Sequence, residues 1–578
     1  MRIYPCSLLE FRELISVSLG NKPATMWFKN VQFLNVYTGQ VERGNIYISG
    51  NRIAYVGDKE FAVSPDTQIV EMENDNILVP GYIEPHAHPC QMYNPFAWGE
   101  CLLRNGTVLS INDNLSLLMM LGEHDTFEFI GELEKESSHM FMWWCNFDNL
   151  QLTERKALEN WLLHPLVIQG GEFTEWSKLL HGDEEILERL YMLKGIRHMR
   201  VEGHLPGVSY EKISGIAAAG IGADHESLNA EDVIKRLKLG MYVTLRYSSI
   251  RPDLPEILNG LVGDPRFNLS RIMLTSDGPS PNFVEATSCA SMIKMCMEAG
   301  ISAADAYRFV TLNPATYYGL DEDLGGIAPG KLASFNVLSS LNDPKPLHVM
   351  QKGEWFVFNQ REVKATVETE ISAWLKERFP SKRIAIELKP EMMVCRTNTG
   401  IELINDVITK PYEFSIDSKL DADENFISLL DSKGTWVLHT RFKGFSTGII
   451  ALGSTYSASN DTILIGKDQI AMCDLLRELH NKGEGILAYF EDGDEIYIPL
   501  QLSGTMSTRK MEDIGGVMER FTRKMHAQGY RYRDPAYSLL FLTASHLPNI
   551  RMSGKGLYLV KNNEIICSPV ILNSHGGE

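Results

Sequence analysis

The run Val79-Pro80-Gly81-Tyr82-Ile83-Glu84-Pro85-His86-Ala87-His88 concentrates metal-binding chemistry in a few residues. In an extended strand, residues i and i+2 face the same side, so His86 and His88 can present two imidazoles to one divalent ion. Fifteen histidines in 578 residues would give ~0.4 His-x-His pairs by chance, so the pair gains its weight from placement. It ends an apolar run, where a barrel strand delivers side chains to its active face. The same placement recurs. Glu172 follows Leu166-Val167-Ile168-Gln169-Gly170-Gly171, His204 follows Val201-Glu202-Gly203, His225 follows Gly222-Ala223-Asp224, and Asp277 follows Ile272-Met273-Leu274-Thr275-Ser276. Imidazoles and carboxylates suit borderline and hard divalent ions. An ion held among them would lower the pKa of a water towards about 7, which is hydrolytic chemistry.

Six such groups can meet only if several strand ends share one mouth. Apolar runs at residues 77–83, 107–111, 140–145, 166–168, 198–201, 220–223, 241–245 and 271–274 alternate with helical stretches such as 184–193 and 230–239. Eight strands and helices over about 240 residues predict a (β/α)8 barrel. Short strands punctuated by Gly39, Gly44 and Gly50 precede it, at 31–36, 44–48 and 52–56, and similar texture returns at 332–337 and 355–358. The two flanks can pair into one small composite β domain. A helical stretch at 369–379 opens a mixed α+β region that runs to the end. The expected divisions are 25–76 and 325–362 for the β-sandwich domain, 77–324 for the barrel, and 363–578 for a carboxy-terminal α+β domain.

Composition narrows the partners. A net charge of −19 repels nucleic-acid backbones and anionic membranes, so neither is expected. The nine cysteines are scattered without a Cys-x-x-Cys pair, unlike a disulfide framework or a Cys-rich zinc module. No signal-peptide core and no apolar span of membrane length is evident, and a cytoplasmic protein is expected.

Pro-Gly-x-Ile-(Asp/Glu)-x-His-x-His is the signature of the amidohydrolase superfamily. Gly203-His204-Leu205-Pro206-Gly207, Asp224-His225-Glu226, Gly240-Met241-Tyr242-Val243 with Arg246, Leu312-Asn313-Pro314-Ala315, Ile327-Ala328-Pro329-Gly330-Lys331-Leu332-Ala333 and Leu502-Ser503-Gly504-Thr505-Met506-Ser507 resemble the adenine deaminases in particular. The resemblance covers nearly the whole chain. It implies a TIM-like metal-dependent hydrolase barrel that deaminates adenine to hypoxanthine and ammonia in purine salvage. His86 and His88 would bind one ion, His204 and His225 a second, and Glu172 would bridge them. Asp277 would be both ligand and proton shuttle. A binuclear manganese centre is implied, with iron or zinc also compatible, as is a homo-oligomer acting on a small purine.

Four segments depart from the family pattern. Pro89-Cys90-Gln91-Met92 stands where Glu-Ser-Ser is usual, Arg246-Tyr247-Ser248 where Arg-Glu-Gly is usual, and Thr275-Ser276-Asp277-Gly278 where Thr-Asp-Asp is usual. Ser457-Ala458-Ser459-Asn460-Asp461 replaces a His-bearing run. Arg246, Ser248 and Glu226 are candidates to touch substrate. The departures keep alternatives open: another aminated heterocycle, a cyclic amide, or a non-catalytic purine-binding relic. Gly325-x-x-x-x-Gly330-Lys331 falls short of a P-loop because Leu332 replaces the magnesium-binding hydroxyl. The stripe Met292, Ile293, Met295, Cys296 and Met297 reads as helical core. His124, His139, His164, His181 and His198 read as surface or core histidines.

Overall fold

The structure is a computed structural model that describes residues 6–73, 75–148, 155–196, 199–359, 361–362, 368–381, 387–545, 547–562 and 564–572. The chain forms two compact units. One is drawn from residues 1–89, 98–278 and 284–366, the other from 90–97, 279–283 and 367–578. Among the described residues no helix is long and apolar enough to cross a membrane.

The first unit opens with helix α1 (Leu8–Ser18), started by a capping box in which Ser7 accepts from the Glu10 N–H and Glu10 accepts from the Ser7 N–H. Strands β1 (Met26–Asn35), β2 (Gln40–Ser49), β3 (Arg52–Gly57), β4 (Gln68–Val70) and β5 (Ile77–Pro80) follow. The barrel strands are β6 (Tyr82–Ala87), β7 (Thr107–Asn112), β8 (Met140–Cys145), β9 (Val167–Phe173), β10 (Arg200–Gly203), β11 (Ala223–Asp224), β12 (Tyr242–Arg246) and β13 (Ile272–Thr275). They form one eight-stranded sheet in chain order with parallel pairing between neighbours, the (β/α)8 arrangement. Strands β14 (Phe335–Leu338), β15 (His348–Gln351), β16 (Glu354–Phe358) and β17 (Arg361–Glu362) then return to the first sheet, whose order is β17-β16-β15-β14-β5-β1-β2-β3. Antiparallel pairing of Ile77 with Leu338 and of Pro80 with Phe335 joins the two flanks.

Residues 77–83, read above as one strand, are two. β5 pairs with β1 and β14, whereas β6 pairs with β7. The break falls at Gly81, whose N–H reaches the Ser334 carbonyl. A Cβ there would lie 2.4 Å from a Val108 methyl. Pro80, lacking an N–H, cannot extend the ladder past that point. Three barrel strands also run beyond their apolar cores: β9 continues through Glu172, β10 through Glu202 and β11 through Asp224. Hydrophobic patterning stops short of these positions because the barrel mouth buries charged groups there. His198 and the start of the run at 198–201 lie outside the described residues.

Side chains join β13 to β6. Glu84 of β6 is buried and accepts from the Thr275 hydroxyl (2.6 Å), the Ser276 N–H (3.0 Å) and the Ser276 hydroxyl (2.8 Å). Between the barrel and its outer helices lies an apolar layer that includes Val233, Val243, Leu258, Ile272, Met292, Ile293 and Cys296. The Met/Cys stripe is therefore core. Lys331 donates to the carbonyls of Asp321 and Leu324, within a turn.

The second unit carries a nine-stranded sheet built from β18 (Thr399–Leu403), β19 (Thr409–Glu413), β20 (Glu424–Leu430), β21 (Trp436–Lys443), β22 (Ile449–Ser454), β23 (Thr462–Gly466), β24 (Gly485–Phe490), β25 (Glu495–Pro499) and the terminal strand Val570–Ile571. The helix Gln469–Lys482 shares a core with it through Leu475, Leu476, Leu479, Leu464 and Leu487. Within this unit the Tyr456 hydroxyl donates to Gln91, and Ser280 donates to the buried Asp534 carboxylate.

Candidate metal centre

Parallel strands end in register, so the side chains that follow them crowd one mouth. The structure brings all six sequence-derived groups to that mouth, in two clusters. In the first, the Nε2 atoms of His86 and His88 each lie 3.3 Å from Asp277 Oδ1. In the second, Glu172 Oε1 lies 2.5 Å from His204 Nδ1 and 3.3 Å from His225 Nε2. The ligand atoms of each trio fall within 4.8 Å of one another. The clusters meet where the His86 and His225 rings approach to 4.0 Å between centroids.

Local geometry explains how each group arrives. Glu84 and His86 alternate along β6, so the carboxylate that fixes the end of β13 faces the same side as the ligand imidazole. Asp277 adopts φ of +54°, a left-handed conformation that Asp tolerates better than most residues. That turn swings its carboxylate from the strand end towards the histidines. The following Gly278, also at positive φ, leaves room for His88, whose Cβ would be 2.7 Å from a Cβ at that position.

The donor chemistry fits divalent cations. His86 Nε2 is buried and faces Asp277 Oδ1 at 3.3 Å without a well-aligned hydrogen bond, and two imidazoles plus a carboxylate form each trio. Burial and the neighbouring His225 oppose a charge on His86, but Glu202 and Asp277 push its pKa up to about 10. His88 is likewise carried to about 10, burial being outweighed by Asp113 and Asp277. Burial also opposes ionisation of Asp277, yet Arg246 and the two imidazoles hold it well below the usual carboxylate range. Glu172 behaves the same way beside His204 and His225. A cation entering these positions competes with the imidazole protons, so uptake weakens as pH falls.

The three substrate candidates have definite places. Arg246 spans two carboxylates, reaching Glu226 Oε1 at 2.6 Å and Asp277 Oδ2 at 2.5 Å. Glu226 also pairs with Arg251 at 3.0 Å. Burial would raise its pKa, but the two arginines and nearby imidazoles keep it at about 2. Ser248 is buried in a turn in which its N–H bonds the Arg251 carbonyl and its hydroxyl accepts the Arg251 N–H.

Three further neighbours border the ligand rings, of which Glu202 and Asp113 were not anticipated. Glu202 lies behind His86 and His225, Asp113 Oδ2 sits 3.3 Å from His88 Nδ1, and the Trp144 ring lies 4.6 Å from that of His86. Glu202 is two residues before His204, the spacing that singled out His86 and His88, and that was its available signal. Among the described residues no other histidine joins a metal-sized trio with the six groups. His139 is buried against Ser110 at 2.9 Å. His181 bonds the Ser177 carbonyl at 2.7 Å within its own helical turn.

The amidohydrolase family model matches residues 174–356, and the adenine deaminase C-terminal domain matches residues 405–564. A protein of Halalkalibacterium halodurans named "Putative adenine deaminase" is 36% identical over 573 residues, covering 96% of this chain and 97% of its own. One of the same name from Oceanobacillus iheyensis is 37% identical with the same coverage. "Adenine deaminase 2" of Carboxydothermus hydrogenoformans is 26% identical over 594 residues, covering 96% and 99%. Barrel and site therefore define an amidohydrolase, a hydrolase acting on C–N bonds. Within that class, the chain belongs to the adenine deaminase family.

Proposed function

We propose that this chain converts adenine and water to hypoxanthine and ammonia, with two divalent ions, manganese in the cell, bound at its barrel mouth. The observation that carries this reading is the pair of trios meeting at the His86 and His225 rings. His86, His88 and Asp277 would hold one ion, His204, His225 and Glu172 the other, with Glu172 reaching between them. Bound there, the ions would lower the pKa of water towards about 7. Asp277 would take the proton from the water that attacks C6 and pass it to the exocyclic nitrogen, which leaves as ammonia. Arg246, on the far oxygen of Asp277, keeps that carboxylate ionised and aimed. Ser248 and Glu226 would border the purine.

Two further readings accompany the chemistry. The exposed apolar stripe Leu8, Phe11 and Ile15 along α1, continued by Leu19 at its C-cap, supports association into a homo-oligomer. The scattered cysteines, with no Cys-x-x-Cys pair among them, support a reducing, cytoplasmic setting.

Ammonia release from adenine by the manganese-loaded wild type and by Asp277→Asn tests the proposal. The wild type should turn over, and the variant should be slower by about 10²–10⁴. Equal rates would remove the proton-shuttle role. The altered segments 89–92 and 246–248 favour one second reading, another aminated heterocycle or a cyclic amide. Turnover of such a compound without turnover of adenine would select it.

A further inference from the structure

Each ligand histidine needs its second ring nitrogen satisfied, because that hydrogen bond sets which nitrogen carries the proton and which points a lone pair outward. For His86 and His225 the partner is the same residue. Glu202 Oε2 lies 3.0 Å from His86 Nδ1, and Glu202 Oε1 lies 3.3 Å from His225 Nδ1. The carboxylate is buried at the end of β10, 1% exposed, and accepts a third bond from Gln169 Nε2 at 3.2 Å. A buried carboxylate with both oxygens committed has no rotational freedom, so the rings it holds are fixed as a pair.

We infer that Glu202 is a shared positioning residue: one carboxylate takes an N–H from a histidine of each trio, turns both Nε2 atoms outward, and thereby couples the two cation positions. His86 Nε2 then faces Asp277, and His225 Nε2 faces Glu172. His88 and His204 are not held by it; His88 Nδ1 has Asp113 instead. The inference rests on the two-ion reading above but not on the identity of the substrate.

Glu202→Gln separates positioning from packing because the amide fills the same space. It can accept from only one imidazole and must donate to the other. That second ring has to turn its Nδ1 lone pair inward and carry its proton on Nε2, where it blocks coordination. Equilibrium dialysis against manganese alone, with metal analysis, should show two equivalents bound by the wild type. In the variant one equivalent should remain tight and the other weaken about 10–100-fold, while the metal-free protein still melts cooperatively. If Glu202→Gln does not fold, Glu202→Asp takes its place: with both oxygens drawn back by one methylene, the carboxylate can reach at most one ring, and at least one affinity should fall. Wild-type affinity for both ions in a folded variant would overturn the inference. So would three equivalents in the wild type falling to two, since Glu202 would then be a ligand. Weakened uptake in a protein whose wild type releases no ammonia from adenine would instead sink the substrate assignment alone.

Discussion

Replacing Glu84 with Gln perturbs the seam between the first and last barrel strands without changing volume. Glu84 Oε1 accepts from the Thr275 hydroxyl and, at 3.2 Å, from the His86 N–H, while Oε2 accepts from the N–H and hydroxyl of Ser276. Both hydroxyls can rotate to accept from an amide, but neither backbone N–H can. Whichever way the amide is placed, its NH2 faces an N–H beside a site residue: that of His86 itself, or that of Ser276 next to Asp277. Stranding one buried N–H costs about 1–3 kcal/mol. Burial raises the Glu84 pKa against these four donors, and to the extent that the carboxylate is charged its loss also weakens the remaining bonds. Asp277, whose own N–H bonds Thr275 Oγ1 at 3.0 Å, would lose its fixed placement against His86 and His88. A misplacement of about 1 Å is enough to lower turnover by roughly 10²-fold. Denaturant unfolding and ammonia release, measured side by side, should therefore both fall for Glu84→Gln. Unchanged stability with unchanged rate would refute the reasoning. Lower stability with full rate would refute only the link to Asp277.

Two other perturbations follow from the same geometry. Arg246→Met leaves Glu226 and Asp277, 3% and 12% exposed, without their shared cation, and breaking a buried pair this way costs about 3–5 kcal/mol. If Arg246 served substrate alone, unfolding in denaturant would match the wild type. Burial drives the His139 pKa down to about 3, below its unfolded value, so the folded chain resists protonation. The stabilisation is full above the unfolded value of about 6.5 and is lost as pH falls towards 3, with about 2 kcal/mol gone by pH 5. His139→Asn should flatten that part of the stability profile between pH 7.5 and 5, and an unaltered profile would remove His139 as the cause.

Alternating apolar runs made the barrel legible because its strands are buried on both faces, and the His-x-His spacing marked the first of them. The point where β5 gives way to β6 was not legible. Val79 and Ile83 are equally apolar, and only the Gly81 approach to Val108 and the pairing with β14 separate the two sheets. Glu202 was passed over for a related reason. Flanked by Val201 and Gly203, it reads as part of a strand, and its worth comes from His86 and His225, residues 116 and 23 positions away. Glu84 and Asp113 share that character: each acts on a ligand whose position no local pattern encodes. Gln91 and Tyr456, within or beside two of the altered segments, share a hydrogen bond, so changes that look separate in the sequence have become neighbours in the fold.

Crystals of the manganese-loaded protein, with anomalous scattering collected at the metal edge, test the central claim most directly. Two peaks are expected, one among His86, His88 and Asp277 and one among His204, His225 and Glu172, each about 2.0–2.3 Å from its nitrogen and oxygen ligands. A metal-loaded crystal with no peak at either trio, or with density only on exposed carboxylates, would contradict the account.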